Sequence, residues 1–276
     1  MLIDLHSHSD QSDGSLSPEA LVDHAVAAGV RILALTDHDT TAGHRRFRAR
    51  AATTGLTPIC GVEVSCTWEQ GNCHLLGLGV RDDFGPLEDA LREIRGGRNR
   101  RNEKIIAKLN ALGYPVTLAE VEAVAGGEVV ARPHVARVLE ARGLVANYQD
   151  AFTKLLAKGG PAYADRFRLE PEAAVALVTA AGGKAVLAHP SQLKLDDAGV
   201  RALAARLQPH GLWGLEVYYT GVTGDKLASY GEIAVDLGLR VCMGSDFHGT
   251  AKPHVKIGHY SPDKPLPGPC PPELLP

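Results

Sequence analysis

The chain has 276 residues, of which 45% are hydrophobic and 22% charged, and its net charge is −3. That is the composition of a soluble globular protein with enough apolar residues for a full core, and it carries no overall basic field of the kind that advertises nucleic-acid binding. No run of 18 apolar residues occurs, so no transmembrane helix is expected, and the opening MLIDLHS lacks the charged and apolar regions of a signal peptide.

The first apolar run, Leu2–Leu5, reads as a buried strand and is followed at once by HSHSDQSDG, with His6, His8, Asp10 and Asp13 inside eight residues. Ser17-Pro18-Glu19 then starts a helix, with a capping serine and proline at the first helical position, and Gly29 stands where its stop belongs. The runs Ile32–Leu35, Thr57–Val64, His74–Val80, Ala185–Ala188, Leu212–Val217 and Arg240–Met243 read as further buried parallel strands. A short WEQGN connection separates the third and fourth strands. Pro171 and Gly182-Gly183 bracket another helix. Strand and helix in alternation is the α/β pattern.

Residues 84–160 differ. LEDALREI, RRNEKIIAKLNAL, TLAEVEAVA, HVARVLEARGL and YQDAFTKLLAKG are all helical in pattern, and read as a helical insertion between α/β segments 1–83 and 161–276. The tail, SPDKPLPGPCPPELLP, is rich in proline and reads as an extended strap or a loose end. Cys60, Cys66, Cys73, Cys242 and Cys270 are odd in number and form no CxxC pair. That argues against a disulfide framework and fits a reducing cytoplasm.

The strand ends carry the chemistry. HSH follows the first strand and TDHD the second; the third ends in GVE. The fourth begins at His74, and AHP, LEV and GSDFH end later ones. In α/β barrels such positions converge on one mouth. A lone HxH or TDHD reads as readily as a polar loop, and a lone Glu63 as a salt-bridged residue. The joint pattern is what points to a metal centre: His6, His8, His38, His74, His189 and His248 are half of the twelve histidines, and each lies beside a carboxylate or another histidine. A seventh, His134 in RPH, starts a predicted helix. Side chains alternate along a strand, so His6 and His8 point the same way, as do Asp246 and His248. In a closed barrel the first and last strands would bring these four together. Imidazole and carboxylate ligands without thiolate suit Zn, Mn or Fe. Cys73 should point away from the cluster into the core. His24, His44, His210, His254 and His259 lack this placement.

In DLHSHSDQSDG, LTDHD, GVEVS, HLLG, RPH, AHP and GSDFH, in this order along nearly the whole chain, the protein resembles the PHP (polymerase and histidinol phosphatase) superfamily. RRNEKIIAKLNALG and ARPHVARVLEARG resemble the branch of 3′,5′-bisphosphonucleotide phosphatases and 5′-3′ oligoribonucleases. The resemblance implies a distorted (β/α)7 TIM-like barrel and three divalent ions, manganese first, with zinc or iron as substitutes. It implies His6, His8, Glu63 and Asp246 on one ion, Glu63, His74 and His134 on a second, and Asp13, His38 and His248 on a third. Asp10 is left as a loop residue. A hydroxide held between two ions is then the expected nucleophile, with His189 as the first candidate to protonate the leaving group and phosphate binding as its alternative role. Asp37, Asp39 and Glu216 could orient ligand histidines.

GRNRRNEKIIAKLNAL, taken as one helix, bears on the substrate. Ile105, Ile106, Leu109 and Leu112 make one apolar face, and Arg98, Arg101 and Asn102 fall on the same side. Arg100, Lys104 and Lys108 point outward. An inward arginine is costly unless it meets an anion, so Arg101, Asn102 and Arg132 are the expected phosphate contacts. The expected substrate is a phosphorylated nucleotide, a pAp-like bisphosphate or short 5′-phosphorylated RNA. No membrane or protein partner is called for. The alternatives are a histidinol-phosphate-type phosphatase, a non-catalytic PHP module beside a polymerase, and an amide hydrolase on the same metals.

Overall fold

The apolar runs expected to be strands are strands in the computed structural model, which describes residues 2–125 and 130–274, except for the side chains of Arg98 and Asn99. They are β1 Leu2–Asp4, β2 Val30–Leu35, β3 Thr57–Cys66, β4 Cys73–Leu78, β5 Lys184–Leu187, β6 Leu212–Tyr218 and β7 Arg240–Met243, and they form one seven-stranded sheet in sequence order. β1, β2 and β3 are parallel, as are β5, β6 and β7. β4 is antiparallel to both neighbours, which corrects the expectation of an all-parallel series. The physical reason is the WEQGN connection: it is of hairpin length, whereas a parallel pair needs a crossover of a dozen residues or more. Because β4 runs backwards, His74 at its start pairs with Ser65 near the end of β3 and stands at the same rim as the other strand ends.

The expected barrel is met in part. The fold is α/β with a mostly parallel sheet, but no β1–β7 ladder closes it. β1 is three residues long and pairs with β2. Beyond it the chain reaches the far edge through single bonds: Leu5 N–H to Met243 O at 3.2 Å, Asp246 N–H to His6 O at 3.0 Å and His8 N–H to Phe247 O at 2.9 Å. A buried side chain does the rest. Asp4 accepts from Ser245 N–H at 2.8 Å and Ser245 Oγ–H at 2.5 Å, and from Gly258 N–H at 2.7 Å.

Helix α1, Pro18–Ala27, is capped by Ser17, whose hydroxyl accepts from Ala20 N–H at 3.2 Å. α2 is His44–Ala51. α7 Pro171–Ala180, α8 Asp197–Leu207 and α9 Gly224–Asp236 lie between the later strands. One core cluster joins Ile3, Leu5, Ile32, Ile59, Leu76 and Val186 to Leu266, Cys270 and Leu274 of the tail. The proline-rich tail is therefore a strap packed on the core, not a loose end. Its first residues belong to a small hairpin, β8 His259–Ser261 and β9 Lys264–Pro265, whose strands are too short to leave a periodic signal. All five cysteines are free thiols, and no described helix is long and apolar enough to cross a membrane.

The chain divides into two compact units, Met1–Leu91 with Leu169–Pro276, and Arg92–Arg168. The second is helical. LEDALREI and RRNEKIIAKLNAL are one continuous helix, α3 Gly85–Ala111, followed by α4 Leu118–Ala125, α5 Arg132–Ala141 and α6 Tyr148–Ala151. Ile105 and Leu109 sit in this unit's core with Val121, Val135 and Leu139. Leu112, expected on the same face, is 45% exposed because α3 ends at Ala111.

Asp4→Asn should lower the unfolding free energy by about 1–3 kcal/mol, the scale for leaving buried donors unmatched, because its NH2 would face donors that now meet a carboxylate. An unchanged urea midpoint would show that the seam does not depend on this carboxylate.

Candidate metal centre

Glu63, near the end of β3, is 1% exposed and has five imidazoles around its two oxygens. Oε1 lies 2.8 Å from His74 Nδ1 and 2.8 Å from His189 Nε2. Oε2 lies 3.2 Å from His6 Nε2, 3.1 Å from His8 Nε2 and 3.2 Å from His38 Nδ1. Asp246 Oδ1 stands 3.5 Å from His6 Nε2 and 3.4 Å from His8 Nε2. Asp13 meets His248 Nε2 at 3.2 Å, His8 Nδ1 at 3.6 Å and His38 Nε2 at 3.8 Å.

Three groups of ligand-type atoms follow, each lying within 4.8 Å of one another: His6, His8, Glu63 and Asp246; His8, Asp13, His38 and His248; and His38, Glu63 and His74. The first is the set expected for one ion. The second is the expected Asp13 set with His8 added, and the third places His38 beside Glu63 and His74. All three are drawn from the first unit. His134 belongs to the helical unit, where its Nδ1 accepts from Ala131 N–H at 3.1 Å.

The donor atoms fit a cation. Glu63 Oε2 and His38 Nδ1 are buried without a hydrogen bond although they lie 3.2 Å apart, and the Nε2 atoms of His6 and His8 face each other at 3.1 Å. Lone pairs crowded together away from water are costly. A divalent ion between them satisfies several at once.

Charge is distributed accordingly. Burial alone would raise the carboxyls, but the imidazoles of His248 and His38 hold Asp13 well below the usual carboxylate range. His38, His74 and His6 do the same for Glu63, and Lys252 with His248 for Asp246. Burial drives His38 down to about 3 against the pull of Glu63 and Asp13. His8 goes the other way: burial opposes its charge, but bonds to Asp246 and Glu63 raise it to about 9. The three carboxylates are thus held ionised and His38 neutral, the forms in which each can coordinate a cation.

The rim is built with little tolerance. Asp39, His189 and Asp246 have positive φ values of 56°, 26° and 59°, a region that costs a non-glycine residue on the order of 1–3 kcal/mol and is concentrated at functional sites. A Cβ on Gly244 would come within 2.2 Å of His6 Cβ, so only glycine lets β7 run this close to the first histidine.

Of the three carboxylates expected to orient ligand histidines, Glu216 bonds one directly. Its Oε1 accepts from His6 Nδ1–H at 3.0 Å, which leaves the Nε2 lone pair for a metal, and its Oε2 accepts from His189 N–H at 2.6 Å. Asp37 instead braces the 9–12 loop, accepting from Ser9 N–H at 2.8 Å and Ser12 Oγ–H at 2.6 Å. Asp39 holds Ser65 N–H at 2.8 Å. Asp10 accepts from Gln11 Nε2–H at 2.7 Å and remains a loop residue. Sequence reading missed Lys252, whose Nζ donates to Asp246 Oδ2 at 2.6 Å; a single lysine in a polar turn carries no periodic or motif signal.

In the helical unit Arg101 is 4% exposed and Asn102 fully buried. The Arg101 guanidinium donates to Asn102 Oδ1 at 2.7 Å, and Asn102 Nδ2 donates to Val130 O at 2.9 Å. Arg132 donates to Leu156 O at 3.1 Å and lies over the Tyr163 ring at 5.6 Å. The side chain of Arg98 lies outside the described residues.

The chain is similar to known proteins over most of its length. The chain is 35% identical to the 3′,5′-nucleoside bisphosphate phosphatase of Chromobacterium violaceum over 93% of its own length and 90% of that protein's. It is 34% identical to the 5′-3′ exoribonuclease Rnm of Escherichia coli, over 94% and 88% respectively. A solved structure of an amidohydrolase from Chromobacterium violaceum, with bound sulfate and no metal, matches with a TM-score of 0.84 at 34% identity, covering 96% of this chain and 94% of that one. The model of the PHP domain matches residues 4–158, more than half of the chain, and with the strand-end histidines gathered around Glu63 it follows that the protein belongs to the PHP family.

Proposed function

We propose that the chain is a metal-dependent phosphoesterase acting on phosphorylated nucleotides, with 3′,5′-bisphosphonucleotides as first substrates and short 5′-phosphorylated RNA as second. The observation that carries this reading is Glu63, an ionised, buried carboxylate with five imidazole nitrogens within 3.2 Å. The relatives named for bisphosphonucleotide and RNA cleavage support the substrate class. Bound divalent ions would supply Lewis acidity and a water of lowered pKa.

The chain's own groups then have assigned parts. His6, His8, Glu63 and Asp246 would hold one ion, His8, Asp13, His38 and His248 another, and Glu63 with His38 and His74 a third, manganese being the first candidate. Glu216 keeps His6 in the ligating tautomer. His189, anchored by Glu216 through its N–H and set against Glu63 through Nε2, would protonate the leaving oxygen. Arg101 and Arg132, with Asn102 holding the Arg101 guanidinium in place, would take a second phosphate. A guanidinium matches phosphate bidentately.

Protein supplied with excess Mn should hold close to three ions per chain by elemental analysis, and a value under one would sink the assignment. A phosphate-release screen over nucleotides, bisphosphonucleotides and sugar phosphates should give its strongest signal with a bisphosphonucleotide. Glu63→Gln should cost at least ~10²-fold in activity, since losses further from the metal often cost that much.

His189→Asn should slow substrates with a poor leaving group more than an aryl phosphate, whose leaving group barely needs a proton. Equal losses on both would assign His189 to binding instead.

Arg101→Ala should lower kcat/KM for a 3′,5′-bisphosphonucleotide by about 2–4 kcal/mol, the scale for a desolvated charged contact, while aryl-phosphate turnover stays near native. Adenosine 5′-monophosphate should be a poor substrate. A parallel fall on both substrates would mean that Arg101 serves the fold of the helical unit.

A further inference from the structure

We propose that Lys252 is a substrate-contacting residue of this centre, holding Asp246 with one N–H and presenting its others to a non-bridging oxygen of the phosphoryl group. The inference rests on the phosphoesterase reading above and adds a residue to it.

Asp246 faces two ways. Its Oδ1 stands among the ligand atoms, 3.5 Å from His6 Nε2 and 3.4 Å from His8 Nε2. Its Oδ2 accepts from Lys252 Nζ at 2.6 Å. The left-handed backbone at Asp246, φ 59°, sets this orientation. Lys252 follows the short turn Gly249–Ala251 directly after His248. That turn is pinned to the loop carrying Asp13: Thr250 N–H donates to Ser15 Oγ at 2.8 Å, and Ser15 N–H to His248 O at 3.1 Å. The ammonium is thus delivered by a braced segment.

Asp246 is the one hydrogen-bond partner found for the Lys252 ammonium among the described residues, and an ammonium has three donors. The side chain is 36% exposed, so its free donors are not sealed in the core. A fixed positive charge beside a cation site is unfavourable for binding metal alone, because like charges repel strongly where water is scarce. The same charge is favourable once a phosphate dianion arrives, where charge-assisted bonds are stronger than neutral ones. Arginine would extend further and fork; lysine supplies a compact charge with rotatable donors.

The test compares Lys252→Met and Lys252→Arg with the native full chain, all loaded with Mn. The readouts are Mn per chain, inorganic phosphate affinity by calorimetry, and kcat and KM on an aryl phosphate. The expected result is native Mn content in both variants. In Lys252→Met, phosphate affinity should fall and KM rise by about tenfold or more, as for loss of a charge-assisted contact, and Lys252→Arg should recover much of that. If Lys252→Met loses Mn together with phosphate affinity, Lys252 is only a strut for Asp246 and the proposal fails. It fails equally if Lys252→Met keeps Mn and binds phosphate as the native protein does. Native protein that takes up no Mn or releases no phosphate overturns the underlying phosphoesterase reading, and this is seen before any variant is compared.

Discussion

The rest of the centre depends on a buried carboxylate that cannot be left alone. Glu63 is desolvated, so its charge needs several partners close by, and five imidazoles from four strand-end segments supply them. Each of those imidazoles is itself buried or half-buried and needs an electrostatic counterpart. The result is mutual dependence: the acids stay ionised because of the histidines, and the donor atoms crowd so closely that a cation is the economical way to satisfy them. A core of apolar residues beneath, running from Ile3 and Leu5 to the tail residues Leu266 and Leu274, keeps water from relieving that demand from below.

Support around the centre comes from carboxylates that never reach a ligand position. Glu216 ties His6 to the backbone of His189, so that two strand ends move as one. Asp37 holds the serines of the first loop, and Asp4 joins the two edges of the sheet where no ladder does. Asp4 is raised above the ordinary aspartate value by burial, and its hydrogen bonds offset that only in part. Its place is structural: four donors converge on it, His6 N–H among them. The first metal-centre histidine and the sheet seam are therefore tied to one side chain.

The helical unit is organised on a different principle. Its core is apolar and local, built from the α3 face carrying Ile105 and Leu109, and its buried polar residues are few. Arg101 and Asn102 stand out because they are buried next to that face and bonded to each other. A planar guanidinium held by a neighbouring amide is oriented in advance, and an orientation fixed beforehand lowers the entropy lost when an anion binds.

What could be read from the sequence and what could not divide along physical lines. Buried strands declare themselves as short β-branched runs, and all seven were placed within a few residues. The gathering of histidines and acids was equally legible, because His6, His8, His38, Glu63, His74, Asp246 and His248 sit at strand ends, where side-chain alternation is a local rule. The insertion's wheel put Arg101 and Asn102 on the buried side for the same reason. Tertiary structure decided the direction of β4, which depends on what a six-residue connection can span, and the way the sheet edges meet, which rests on Asp4 reaching Ser245 and Gly258 from the other end of the chain. It also decided the partners of each carboxylate. Asp37, Asp39 and Glu216 look alike in sequence, yet Glu216 bonds the His6 ring, Asp37 the serines of the first loop and Asp39 Ser65. Lys252 became visible only once its turn was folded back on Asp246. Periodicity follows from the backbone and can be read along the chain, whereas the choice among similar polar side chains is made by contacts between residues far apart in it.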